Sequence, residues 1–191
     1  MTKNQPRKKA VPSVLQLKIT LRGSKPPIWR RVQVLNNMTF ADLHDVIQIV
    51  MRWTYSHLHQ FVVANEFIGS VAELEDDVLD EARIKLSDYI SGEKGKFRYE
   101  YDFGDRWDHT IEVEKILPVD PNQSYPRCIA GKRACPPEDC GGIWGYANLL
   151  EILADPNNPE HETMRVWVGD EFDPNEFDLK AVAQVFGGQD Q

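Results

Sequence analysis

Apolar and polar residues alternate in the stretch VLQLKITLRG, where Leu15, Leu17, Ile19 and Leu21 are spaced two apart. That period places one row of side chains on one face of a half-buried β-strand, which the glycine at 23 ends. The turn GSKPP leads into IWRRVQVL, a second strand close enough to form a hairpin. The period then changes. In MTFADLHDVIQIVMRW the apolar residues Phe40, Leu43, Ile47, Val50 and Met51 fall on one helical stripe, with Thr39 as N-cap and Asp42 at the third position. HQFVVAN and EFIGSV read as a further strand pair, and KFRYEYDF and HTIEVEKIL as another, joined at GDRWD. Between them, AELEDDVLDEARIKLSDYISGEKG reads as an acidic connector with a helical turn near its end.

The final third is helical: GYANLLEILADP stopped by Asp155-Pro156, a short helix around EHETMRVWVG, and a helix opening at Asp173-Pro174 with Glu176 in a capping box and ending at Gly187-Gly188. The pattern predicts an α+β fold: a mostly antiparallel sheet, one main helix packed on it, and a C-terminal helical segment. Residues 1–12 are expected to form a flexible basic arm, and 13–188 a single domain.

Charge changes this picture only locally. The net charge of −8 divides into ten Lys/Arg against two acids in residues 1–60, and twelve against twenty-eight beyond. The simplest expectation is that the two parts neutralise each other within one fold, and the bulk acidity ranks nucleic acid last among partners, after protein or a small ligand. No apolar run is long enough to span a bilayer and no secretory leader is recognisable, so a cytoplasmic location is expected.

Candidate chemistry gathers in four places. The three cysteines lie in CIAGKRACPPEDCGG at C-x6-C-x4-C spacing; Cys128, Cys135 and Cys140, completed by His109, would make a Cys3His zinc site. The alternative is that the thiols are packing residues. In YEYDFGDRWDH, Asp102, Asp105 and Asp108 recur every third residue beside His109, a set suited to a hard cation, while the same acids also suit turn hydrogen bonds and Trp107 suits packing. His57 and His59, two apart in YSHLHQF, would share a face of a strand. His44 and His161 read as structural. Trp29, Arg30 and Arg31 suit phosphate contact or, preferably, salt bridges to the acidic part. No Walker loop, dinucleotide fingerprint, nucleophile elbow or H-E-x-x-H occurs.

LKITLRGSKPPIWRRVQV, TFADLHDVIQIVMRW, SHLHQF, YEYDFGDRWDHTIEVEKI, CPPEDCGGIWGY and FDPNEFDL together resemble the plasmid pRiA4b open-reading-frame-three (Orf3-like) family, over about Leu15 to Val182. The resemblance implies a single α+β domain of the kind found in microbial genomes, plasmids and transposable elements. It brings no agreed catalytic residues. It does imply where a site lies: Trp29, Arg30, His57, His59, Asp102, Phe103, Asp105, Trp107, His109, Cys135, Pro136, Pro137, Asp139, Cys140 and Gly141.

The function expected from all this is a binding or interaction module without catalysis of its own. A polar cleft between the aspartate-rich turn and the cysteine loop would hold a metal such as zinc, a small ligand or a partner. The alternative is a metal-dependent hydrolase or nuclease-like enzyme using Asp102, Asp105 and His109, with Arg30 as anion clamp. A DNA-binding accessory role comes third.

Overall fold

A computed structural model describes residues 11–72 and 77–187. The alternating stretch is strand β1 (Ser13–Leu21), hairpinned to β2 (Trp29–Leu35). Helix α1 (Phe40–Met51) follows, then β3 (His59–Val63), β4 (Glu66–Gly69) and β5 (Val78–Asp80). A single turn α2 (Leu86–Tyr89) precedes β6 (Lys96–Tyr101), β7 (Trp107–Pro118) and β8 (Arg127–Lys132). Helices α3 (Gly142–Ala154), α4 (His161–Val168) and α5 (Leu179–Gly187) close the chain.

The strands form one eight-stranded sheet in the order β5-β4-β3-β6-β7-β1-β2-β8, antiparallel throughout except for the β4–β5 pair. Leu15, Leu17, Ile19 and Leu21 all face a core that they share with the α1 stripe of Phe40, Leu43, Ile47, Val50 and Met51. The intervening row on the same strands is polar and self-satisfied. Gln16 donates to Glu114, Gln33 donates to Gln16, and Arg127 donates to Gln33. Arg31 grips the same Glu114 through two parallel bonds, Nε–Oε2 2.5 Å and Nη2–Oε1 2.7 Å. With Arg22–Asp108 at 3.3 Å, this pair joins the basic first third to the acidic remainder.

Thr39 caps α1 as expected, and Asp42, placed at the third position, also accepts from the Thr39 amide, which makes the cap reciprocal. The picture of one main helix needs correction, since Tyr146 and Leu149 of α3 and Val182 and Phe186 of α5 also enter the core. The last helix starts later than expected. Asp178, not Asp173, accepts the exposed N–H groups of Lys180 and Ala181, while Asp173 closes a turn on Asn175. Two strands have no alternation to betray them: β5 is three residues long, and β8 interrupts RCIAGK with Gly131, where an added Cβ would lie 2.3 Å from the Phe177 ring. Of the expected arm over residues 1–12, residues 1–10 lie outside the described residues, as does the expected stop at Gly188.

Candidate metal centre

Three loops meet at one end of the sheet: residues 53–58 after α1, 102–106 between β6 and β7, and 134–141 before α3. The first is fastened to the third by Trp53, whose indole N–H donates to the Pro136 carbonyl at 3.1 Å. Glu138 is held from both sides. Tyr101 donates to its Oε1 at 2.5 Å, and the Thr54 hydroxyl and amide donate to its Oε2 at 2.6 and 3.1 Å. Trp53 stacks on Tyr101 at 4.9 Å, so the clamp has an aromatic floor.

The second loop is tied to the third by Asp105, whose Oδ2 accepts the Gly141 N–H at 3.0 Å. Gly142, at φ +67°, lies so close that a Cβ there would sit 2.3 Å from the Asp105 carbonyl oxygen. The aspartate-rich turn and the cysteine loop are therefore in direct contact.

Their meeting brings His57, Asp102 and Asp139 together, one residue from each loop. One ligand atom from each lies within 4.8 Å of the other two. His57 Nε2 is 3.3 Å from Asp139 Oδ1 and 3.8 Å from Asp102 Oδ2, yet it is shielded from solvent and makes no hydrogen bond among the described residues. Asp102 is aimed by its own turn: Oδ1 accepts from the Gly104 and Asp105 amides, which leaves Oδ2 for His57. Both aspartates occupy left-handed backbone conformations, φ 58° and 59°, which Asp tolerates better than most residues. Asp102 is nearly buried, whereas the Asp139 side chain is 74% exposed.

Other candidate residues are placed elsewhere. Among the described residues, His57, Asp102 and Asp139 are the only group of three or more metal-ligating side chains so converged; Cys128, Cys135, Cys140 and His109 are not brought together as a Cys3His set. Cys128 lies on β8 and is buried, and Cys135 packs its sulfur 3.6 Å from that of Met51. Burial pushes the thiols of Cys135 and Cys140 up to about 12, so both stay protonated at neutral pH. His109 is fully buried on β7 against the rings of Trp53 and Tyr99, and burial holds it down to about 4. Trp107 is likewise sealed in the core.

His57 and His59 do not both lie on the strand. His57 precedes the strand, while His59 bonds Glu81 at 2.7 Å and stacks flat on His44 at 3.4 Å. His44 in turn meets the Tyr99 hydroxyl, and His161 meets the Ile152 carbonyl, the structural roles expected of them. Among the described residues Arg30 makes no salt bridge to the acidic part; it is buried and donates to the carbonyls of Val50, Trp29 and Lys132. Trp29 lies under Lys18 and Arg31. Asp108 is not part of the turn but a strand residue paired with Arg22 and Arg98. Glu138, which fastens the first loop to the third, escapes a reading of the sequence; its only signal there is its position beside Asp139.

An eight-stranded α+β sheet with an imidazole and two carboxylates converging at the loop end is the framework these contacts define. The chain belongs to the plasmid pRiA4b ORF-3-like protein family, whose model matches residues 13–181. It is 38% identical over 161 residues to the uncharacterized protein y4hQ of Sinorhizobium fredii, covering 83% of this chain and 82% of that one. It is also similar to the crystal structure of MM3350, a protein of unknown function from Methanosarcina mazei Go1. That likeness has a TM-score of 0.82 and 44% identity and covers 90% of this chain and 98% of the other. Among the described residues, no helix is long and apolar enough to cross a membrane.

Proposed function

We propose that the protein is a binding module whose loop cleft holds a divalent cation through His57 Nε2, Asp102 Oδ2 and one Asp139 oxygen. The observation that carries this reading is the shielded His57 nitrogen facing two carboxylates without a hydrogen bond. A buried polar atom left unpaired costs about 1–3 kcal/mol, and a cation at the centre of the three groups would satisfy all of them at once. One imidazole and two carboxylates suit zinc or manganese. The three free cysteines support a reducing, cytoplasmic setting, and the family's plasmid-derived name supports an association with mobile elements.

Titration of chelator-treated protein with zinc and with manganese tests the reading. We expect one site per chain, weakened at least tenfold by Asp139→Asn and by Asp102→Asn, with the exposed Asp139 variant keeping the parent's thermal stability. Equal binding by the parent and both variants, or no binding at all, refutes it.

A hydrolytic use of the same ion is the second reading, favoured by the exposure of Asp139: three protein ligands leave positions open for water and substrate. It requires metal-stimulated phosphoester cleavage that Asp102→Asn abolishes. Absence of turnover across a panel of divalent ions leaves the binding role alone.

A further inference from the structure

Arg30 poses a problem that the cation site does not solve. The residue is 1% exposed, yet no carboxylate among the described residues is paired with it. A guanidinium offers five N–H donors. Three are taken, by the carbonyls of Val50, Trp29 and Lys132, and Nη2 has no partner among the described residues. Phe177 covers the flat face of the group with its ring centroid 4.0 Å from Cζ, leaving the edge. The sulfurs nearest in electrostatic terms, Cys135 and Cys128, are both held protonated by burial and supply no counter-charge. Carbonyls at the end of α1 offset part of the cost through the helix dipole, but a buried cation is ordinarily matched by an anion.

Arg30 lines a cavity of about 650 Å³ between the end of α1, the cysteine loop and the segment leading into α5. The wall of that cavity is charged in the opposite sense, with five carboxylates against Arg30 and Arg52. Three of the five are engaged by the chain's own donors, Glu138 by Tyr101 and Thr54, and Asp173 and Asp178 by backbone amides. Glu171 and Glu176 are exposed and their carboxylates make no hydrogen bond or ion pair among the described residues. A simple anion would be repelled by this wall, and a simple cation would leave Arg30 unmatched.

We propose that this cavity binds a small zwitterion, a basic amino acid or the C-terminal end of a basic peptide, with its carboxylate on Arg30 Nη2 and its cationic group between Glu171 and Glu176. Trp53 and Phe172, which also line the cavity, provide apolar surface for the methylene chain between the two charges. At about 30 Å³ per water, the space holds roughly twenty waters, enough for one or two residues of a peptide.

Calorimetric titration in the presence of EDTA tests this independently of the cation site. The probes are L-lysine, the dipeptide lysyl-lysine, lysinamide, which lacks the carboxylate, and glutarate, which lacks the cation. Binding of lysine or the dipeptide is expected, stronger for whichever form the protein uses, with at least a tenfold loss for lysinamide and for glutarate. The double variant Glu171→Gln/Glu176→Gln, altered only at exposed positions, should lose at least tenfold with an unchanged thermal midpoint. Arg30→Met should lose binding too; because it also removes bonds to three carbonyls, the glutamate pair is the deciding variant. Lysinamide binding as well as lysine, an unaffected double variant, or no binding of either lysine or the dipeptide overturns the proposal.

Discussion

Replacing Gly142 by alanine tests the contact on which the loop cluster depends. The residue sits at φ +67°, and an added Cβ would come within 2.3 Å of the Asp105 carbonyl oxygen and 3.3 Å of its carbonyl carbon. Both obstacles are backbone atoms, which cannot rotate aside as a side-chain tip can. The left-handed conformation costs an L-residue about 1–2 kcal/mol. Forcing apart two packed segments adds about 1–3 kcal/mol. The expected loss is about 2–5 kcal/mol, and at about 2–4 °C per kcal/mol for a chain of this size the thermal midpoint should fall by about 4–20 °C. Gly92, where an added Cβ would meet nothing within 4 Å and where φ is not positive, is the control; its alanine variant should stay within about 0.5 kcal/mol of the parent. Calorimetry or urea denaturation of the three proteins measures the effect, and cation titration of the same samples measures how far Asp139 is displaced from His57. A Gly142→Ala midpoint within about 2 °C of the parent would refute the claim that the aspartate turn and the cysteine loop are held at contact distance.

Three further outcomes follow from the geometry. Burial holds His44 down to about 3 and His109 to about 4, so below about pH 6.5 the unfolded chain takes up protons that the folded chain refuses. Stability should be fully present above that pH and fall on acidification toward pH 4, by about 1.4 kcal/mol per pH unit for each histidine; equal urea midpoints at pH 7 and pH 5 would contradict this. Saturating zinc or manganese at a hundred times its dissociation constant should raise unfolding free energy by about 2.7 kcal/mol, measurable by denaturation, and at the same concentration should raise that of Asp139→Asn by no more than about 1.4 kcal/mol. Arg31→Lys replaces a forked grip on Glu114 with a single point of contact and should cost about 1 kcal/mol in urea denaturation, whereas no change would mean that the polar ladder on the sheet's outer row carries no stability.

The sequence discloses those elements whose side chains repeat. The alternation in β1 and the stripe in α1 announce a buried face, and the buried residues are the ones that repeat announces. β5 and β8 are held by neighbours rather than by their own pattern, as Gly131 under the Phe177 ring illustrates, so no period marks them. At the candidate site, the contributing stretches are legible from their residue types, but the pairing is not. A two-residue spacing couples His57 to His59 only if both lie on the strand, and β3 begins at His59. Asp102 and Asp105 look equivalent in the sequence, although the turn gives them different duties: one oxygen of Asp102 is left for His57, while Asp105 ties down Gly141. Arg30 looks like a partner for the acidic part because its burial among carbonyls is a product of tertiary packing that spacing does not encode.

Trp144 lies in the first turn of α3, five residues after Asp139, and is 85% exposed, while Trp53 and Trp107 are 5% and 1% exposed. Trp167 of α4 is 47% exposed as well, so the chain holds open indoles and screened ones, and the open ones are reached by aqueous quenchers such as iodide. With Trp167 replaced by Phe, Trp144 is the most open indole, and because it stands beside the loop that carries Asp139, its quenching constant is a label-free gauge of whether that loop is occupied, with Trp53 and Trp107 as internal reference.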